Sequence, residues 1–228
     1  MPLPGLSFGG AVGLSAVIAT STNTPVDLAA LLGVDSSAAV VYRLFVPSGV
    51  TQGSTAAATP AIDATGLHAD SVGYWFVDGT IVGKGGNGGN GGANGSFVFG
   101  GGGGGAGAAV GTGGTATAPA TAGADGTATT GGAGGNTAAS ALVLSQTSPQ
   151  NGGDAVALSH TVVAVVTGGV RGAGGGGAPG SGVSNGYAGG DLDTNGGGAP
   201  VGLKGYAVRL SGSGAWSASG GGTVGTVG

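Results

Sequence analysis

Fifty of the sixty glycines in this 228-residue chain lie at or beyond Gly83, many in triplets such as Gly85-Gly86-Asn87-Gly88-Gly89-Asn90-Gly91-Gly92-Ala93. Glycine loses more backbone freedom on folding than any other residue, and ordering one residue costs about 1–2 kcal/mol of backbone entropy. A tract with so few side chains has no ordinary core to offset that cost. It either stays disordered or recovers the loss through dense backbone contacts. Collagen does the latter, but it needs a strict Gly-X-Y period and at least about 15–20% proline. Nine prolines and a repeatedly broken period exclude it. Two states remain: a flexible linker, or a bundle of extended, three-residue-per-turn strands packed backbone to backbone. In that second arrangement, a polyglycine II sandwich, every N–H and C=O can pair with a neighbouring strand.

Composition favours the ordered state. Disorder goes with low hydrophobicity and many charges, whereas only 6% of these residues are charged and the mean hydropathy is +0.35. A surface so poor in charge predicts burial against itself or against identical copies, that is, a homo-oligomer. The net charge is −4, from nine Asp, no Glu, three Arg and two Lys spread singly. No basic patch is present to neutralise phosphates, so nucleic acid is not an expected partner. The absence of cysteine excludes a disulfide framework or thiolate metal site. Met1–Gly5 lacks the cationic region of a secretory signal, and the apolar stretch Ala11–Ala19 is too short to span a bilayer. The expectation is synthesis in a cytoplasm followed by incorporation into an assembly there.

Composition changes near residue 82, which predicts two domains, 1–82 and 83–228. Upstream, Ala39–Val46 and Tyr74–Val77 are β-branched or aromatic runs bounded by turn formers and read as strands. Val26–Gly33 is the one credible helical turn, with Pro25 near its start and Gly33 as C-cap. The predicted fold is therefore mostly β: a small N-terminal β domain with one short helix, then a glycine-rich region of β-solenoid or polyglycine II type.

A repeat links the halves. Pro60-Ala61-Ile62-Asp63 leads to Asp78-Gly79-Thr80-Ile81-Val82-Gly83, and Asp154–Leu158 leads through Val162–Val166 to Gly168-Gly169-Val170-Arg171-Gly172. Gly205–Leu210 leads through Trp216 to Gly221–Gly225. Each unit is a short apolar strand, a spacer, a second strand and a glycine-flanked Ile/Val segment, as in solenoid rungs that bury their apolar faces on one another. Inserts at Asn94–Phe99, Thr112–Thr130, Ser181–Tyr187 and Asp191–Asn195 interrupt the glycine tracts and are the expected exposed loops.

Chemical motifs are sparse. Gly5-Leu6-Ser7-Phe8-Gly9 matches a nucleophile elbow formally, without the strand, helix and Asp/His partners that motif needs. Gly79–Lys84 falls one residue short of a phosphate loop, and Gly85 stands where Ser or Thr should hold a metal. Asp191-Leu192-Asp193-Thr194-Asn195-Gly196 fits the first half of a calcium loop, but Gly202 occupies the position of the bidentate acid, so Asp191, Asp193 and Asn195 are weak calcium candidates and no metal is expected. His68 and His160 read as surface or strand-end residues, and Tyr74, Trp75, Phe76 and Trp216 as core or interface packing. Phe97, Phe99 and Tyr187 are flanked by glycine with little local core, which makes them, with Asn94, Ser96, Asp191 and Asp193, the candidate exposed contact residues.

The succession Asn23-Thr24-Pro25-Val26-Asp27-Leu28, Phe45–Val50, Thr59–Asp63, Asp78–Gly83 and the ensuing Gly-Gly-x tract resembles the glycine-rich tail-tip and tail-fibre proteins of tailed bacteriophages. The closing stretch Ala207–Leu210 to Gly222–Gly225 is similar to the ends of those chains. The resemblance implies a non-enzymatic virion component at the tail, without cofactor, whose inter-glycine loops touch a bacterial surface glycan or outer-membrane protein. It also implies that the N-terminal domain joins other virion tail proteins. It transfers no receptor-contacting residue. A capsid-associated decoration or head-fibre protein is the alternative, and an ice-binding or extracellular matrix protein is a third. An enzyme is least favoured, because acid pairs could come only from scattered Asp residues.

Overall fold

The structure, a computed structural model, describes residues 13–94, 97–138, 146–181 and 184–228. Its strands recur in a fixed order. β1 (Leu14–Val17) is followed by β2 (Val26–Asp27), β3 (Val41–Val46) and β4 (Thr51–Gln52), then by β5 (Ile62–Ala64), β6 (Val72–Val77) and β7 (Thr80–Val82). A small hairpin, β8 (Ala93–Asn94) and β9 (Phe97–Val98), intervenes. The order then resumes with β10 (Val156–Leu158), β11 (Thr161–Val166) and β12 (Gly169–Arg171), and again with β13 (Val208–Leu210), β14 (Ala215–Ser219) and β15 (Thr223–Val224). Each cycle sends one strand to each of three parallel sheets, ordered β1-β3-β6-β11-β14, β13-β10-β5-β2 and β15-β12-β7-β4.

Register explains why the repeat was visible. Val26, Ile62, Val156 and Val208 stand in one row of one sheet, and Ile81, Val170 and Val224 in one row of another. Alternation along β3 sends Tyr42, Leu44 and Val46 inward and leaves Arg43 exposed. Trp75, Ile62, Ile81 and Leu158 join them in one buried core. Each such side chain contributes roughly 1.5–3 kcal/mol by leaving water. The outer face of the five-stranded sheet carries Val17, Phe45, Phe76 and Val165 in one row, with the two phenyl rings stacked 5.0 Å apart.

The helix α1 runs over Leu28–Leu32, shorter than expected because Val26–Asp27 is recruited as β2. Asp27 caps it by accepting the Ala30 N–H at 3.1 Å. Gly33, at φ 68°, ends it in the left-handed conformation that suits glycine. The composition change at residue 82 marks where the chain leaves the sheets. It returns twice, through β10–β12 and β13–β15, so residues on both sides of 82 share all three sheets.

Between those returns the glycine tracts pack by a different rule. Within Gly101–Gly107, the N–H groups of 101, 104 and 107 donate to Thr121, Ala124 and Thr127. Those of 102 and 105 donate to Gly89 and Gly86, and those of 103 and 106 to Tyr187 and Gly190. The carbonyls follow the same cycle: 101 and 104 accept from Gly135 and Gly132, 102 and 105 from Gly114 and Gly111, 103 and 106 from Gly177 and Gly174. The backbone thus faces the same way every third residue, and six tracts surround this one. A Cβ built on any of Gly100–Gly105 would fall within 3.0 Å of a neighbouring carbonyl oxygen. None of these six residues has a positive φ, so it is the missing Cβ that the packing uses.

Glycine density follows from the number of covered faces. The enclosed tract has six glycines in a row. The tract 83–92 spares one position in three for Asn87 and Asn90, whose Oδ1 atoms accept the Thr112 and Thr115 N–H groups at 3.0 and 2.9 Å. Tract 121–127 lies at the edge and keeps only Gly123 and Gly126.

Candidate functional site

The hydrogen-bond pairing sorts the turns into two ends. Tract 83–92 leaves β7 and points away from the sheets, and 99–107 returns antiparallel to it, pairing Gly102 with Gly89 and Gly105 with Gly86. The tracts 111–115, 131–136 and 172–180 run outward, whereas 121–127, 147–153 and 185–190 run inward. The β8/β9 hairpin, the turn 116–120 and the chain at Ser181 and Ser184 therefore gather at the end far from the sheets. The turns 107–110, 127–130 and 191–194 gather at the end facing them.

The candidate contacts divide accordingly. Asn94 and Phe97 pair in the β8/β9 hairpin at the far end. Their side chains, like Ser96 altogether, lie outside the described residues. Tyr187, 39% exposed, begins an inward tract beside the far-end turn, with its ring against Gly198 and its Cβ against Gly197. Phe99 is a correction: its side chain is completely buried. Its N–H donates to Gly92, and its own carbonyl closes on Gly91.

Asp191, Asp193 and Asn195 lie at the opposite end. Each of their Oδ1 atoms accepts a backbone N–H from a different segment: Gly131 at 2.8 Å, Gly172 at 2.9 Å and Lys204 at 2.9 Å. Asp193 also holds a positive φ of 59° and packs its carboxylate on Gly225. Burial raises its pKa, against the Gly172 hydrogen bond and the charges of Arg171 and Lys204. These side chains staple tracts together, as Asn87 and Asn90 do. Among the described residues no three of His, Cys, Asp and Glu gather closely enough to hold a metal ion.

The two histidines are not brought into one pair. His68 is part-exposed and lies 3.8 Å from Asp70. His160 stands at a strand end, between β10 and β11, as one of the two expected placements has it, but is fully buried and not on the surface. Trp75 Nε1–H donates to the Tyr42 hydroxyl at 3.0 Å, and that hydroxyl lies 2.8 Å from His160 Nε2. An indole N–H can only donate, so the Tyr42 hydroxyl accepts from Trp75 and shares its other hydrogen bond with His160 Nε2, the histidine tautomer setting which of the two donates. Burial lowers the His160 pKa and raises that of Tyr42, keeping both neutral. The Gly5–Gly9 motif lies outside the described residues. Thr80–Val82 of the phosphate-loop look-alike is strand β7, and Lys84 Nζ donates to the Gly85 carbonyl and Asn87 Oδ1 at 3.0 and 3.2 Å.

One feature was not legible in the sequence. A cavity of about 670 Å³ opens where tracts 83–92 and 147–153 meet the sheets, lined by Lys84, Asn87, Gln150, Asn151, Asp154 and Arg209. These six come from three separated segments, Ala56–Ala58 of a fourth complete the wall, and only the polarity of the six amid glycine marks them.

No protein-family description matches the chain, and no curated protein matches it. Among solved structures, it is similar to the crystal structure of the gp37–gp38 adhesin tip complex of the bacteriophage S16 long tail fibre. The TM-score is 0.49 at 12% identity, covering 94% of this chain and 82% of that one. No described helix is long and apolar enough to cross a membrane.

Proposed function

We propose that this chain is a structural, non-enzymatic adhesin of a bacteriophage tail fibre or tail tip, which displays its far-end turns to a bacterial surface glycan or outer-membrane protein. The carrying observation is that these turns close tracts cross-bonded every third residue to as many as six neighbours. On this reading the tracts form a polyglycine II sandwich and the three-sheet cycle a short β-solenoid that anchors it. Turns held by such a frame lose little entropy on binding, and several weak contacts on one rigid face add by avidity. The resemblance of the segments from Asn23 onward supports a place in the virion tail, with other tail proteins and further copies of the chain as partners and no cofactor.

The test is adsorption of the purified chain to host cells, compared with a double variant carrying Tyr187→Ala and Phe97→Ala. Binding is expected to fall at least severalfold in the variant. Unchanged binding by a correctly folded variant, or virion density for the chain on the capsid instead of the tail, would overturn the reading.

A further inference from the structure

We propose that the cavity between the glycine tracts and the sheets is a binding site for an anionic saccharide, with Lys84 receiving the carboxylate or phosphate and the amides of Asn87, Gln150 and Asn151 receiving hydroxyls. At about 670 Å³ it has the volume of a small-molecule site. Its lining carries an excess of unspent donors. The Asn87 and Asn151 carbonyl oxygens are committed to the Thr112 and Leu203 N–H groups at 3.0 and 2.9 Å. Their NH2 groups, and the whole Gln150 amide, make no bond among the described residues. Lys84 Nζ donates two protons, to the Gly85 carbonyl and to Asn87 Oδ1, and keeps a third.

The charges point the same way. The Asp154 carboxylate accepts the Tyr206 N–H at 2.7 Å and two hydrogen bonds from Arg209, so that pair neutralises itself. Lys84 has only neutral partners, and partial burial pulls its ammonium below the usual lysine range. One half-buried cation with neutral partners, ringed by donors, is complementary to an oxygen-rich ligand bearing one negative group. A sugar acid and a sugar phosphate share that chemistry. The site stands on this geometry, and it rests on the adhesin reading only for where the saccharide comes from.

The experiment titrates the isotopically labelled full chain with D-glucuronic acid, D-glucose 6-phosphate and D-glucose, following the side-chain amide resonances of Asn87, Gln150 and Asn151. At least one acidic sugar is expected to bind roughly tenfold or more tightly than glucose, as a charge-assisted contact implies. Response to glucuronic acid alone would mark a carboxylate site, and response to the phosphate alone a phosphate site. Lys84→Gln is expected to erase the preference for acid. Gln150→Ala removes a side chain that bonds nothing in the described protein, so it should weaken binding without altering the melting temperature, and it decides the matter if Lys84→Gln fails to fold. Equal affinity for glucose and the acidic sugars, or unchanged binding in Gln150→Ala, would overturn the site. Adsorption to cells and position in the virion do not enter this titration, so saccharide binding by a chain found off the tail would keep the site and remove the adhesin reading.

Discussion

The three sheets and the glycine tracts solve the same problem with opposite materials. In the sheets, parallel strands leave space between them and large side chains fill it: Trp75, Tyr42, Leu44 and Ile62 are completely buried. Among the tracts no such space exists, and the backbones themselves are the packing units. Stability in the first region comes mainly from apolar area removed from water. In the second it comes from hydrogen bonds worth about 0.5–1.5 kcal/mol each, which each enclosed residue makes to two neighbouring tracts, the pair of tracts changing from one residue to the next. The sheets should therefore be sensitive to atoms removed, and the tracts to atoms added.

The largest expected effect tests that contrast directly. Gly103→Ala adds one carbon that would meet the Gly132 carbonyl, and backbone cannot rotate aside as a side chain can. The substitution is expected to cost more than the roughly 1–3 kcal/mol of ordinary overpacking and to unfold the tracts, read as loss of amide protection in 100–107. Gly221→Ala, with nothing within 4 Å, should change almost nothing. In the sheets the sign reverses: Leu44→Ala only removes atoms and should cost about 2–5 kcal/mol in chemical denaturation. Equal tolerance of Gly103→Ala and Gly221→Ala would break the comparison.

A smaller effect should be confined to the sheets. The His160 pKa is lowered in the folded state, so the unfolded chain binds the extra proton first. Stability from this group is then complete above the unfolded value of 6.5 and declines as pH falls below it, by at most about 1.4 kcal/mol per pH unit. Melting curves from pH 8 to 5 should show this decline in the wild-type chain and a flatter profile in His160→Gln.

The smallest effect probes the staples of the tracts. Asp191→Ala frees the Gly131 N–H and should cost about 1 kcal/mol, the worth of one partly exposed hydrogen bond. The loss should be the same with and without millimolar calcium. A calcium-dependent melting temperature in the unaltered chain would instead make Asp191, Asp193 and Asn195 ligands.

Much of the frame was legible. Alternating apolar residues in Val41–Val46 specify a strand with one buried face, Asp27 and Gly33 specify the ends of the helix, and the glycine-flanked Ile/Val segments recur because they are β7, β12 and β15 of one sheet. The candidate site was less legible, since the sequence says where glycine stops but not which end of the bundle an interruption occupies. Asp191 and Asn94 both interrupt Gly-Gly-x runs, yet one faces the sheets and the other faces away. Phe99 looked exposed because its sequence neighbours are bare, and the fold buries it completely.

What the sequence determined by itself is the kind of contact each segment can make: a side-chain-free tract can pack only backbone to backbone, and an alternating apolar run only as a half-buried strand. What the tertiary structure alone decided is the company each segment keeps. Six neighbours for Gly100–Gly105, an inward place for His160, and a donor-rich cavity assembled from residues as distant as Lys84 and Arg209 all depend on how the chain folds back on itself, because hydrogen bonds and burial act over a few ångströms of space and take no account of separation along the chain.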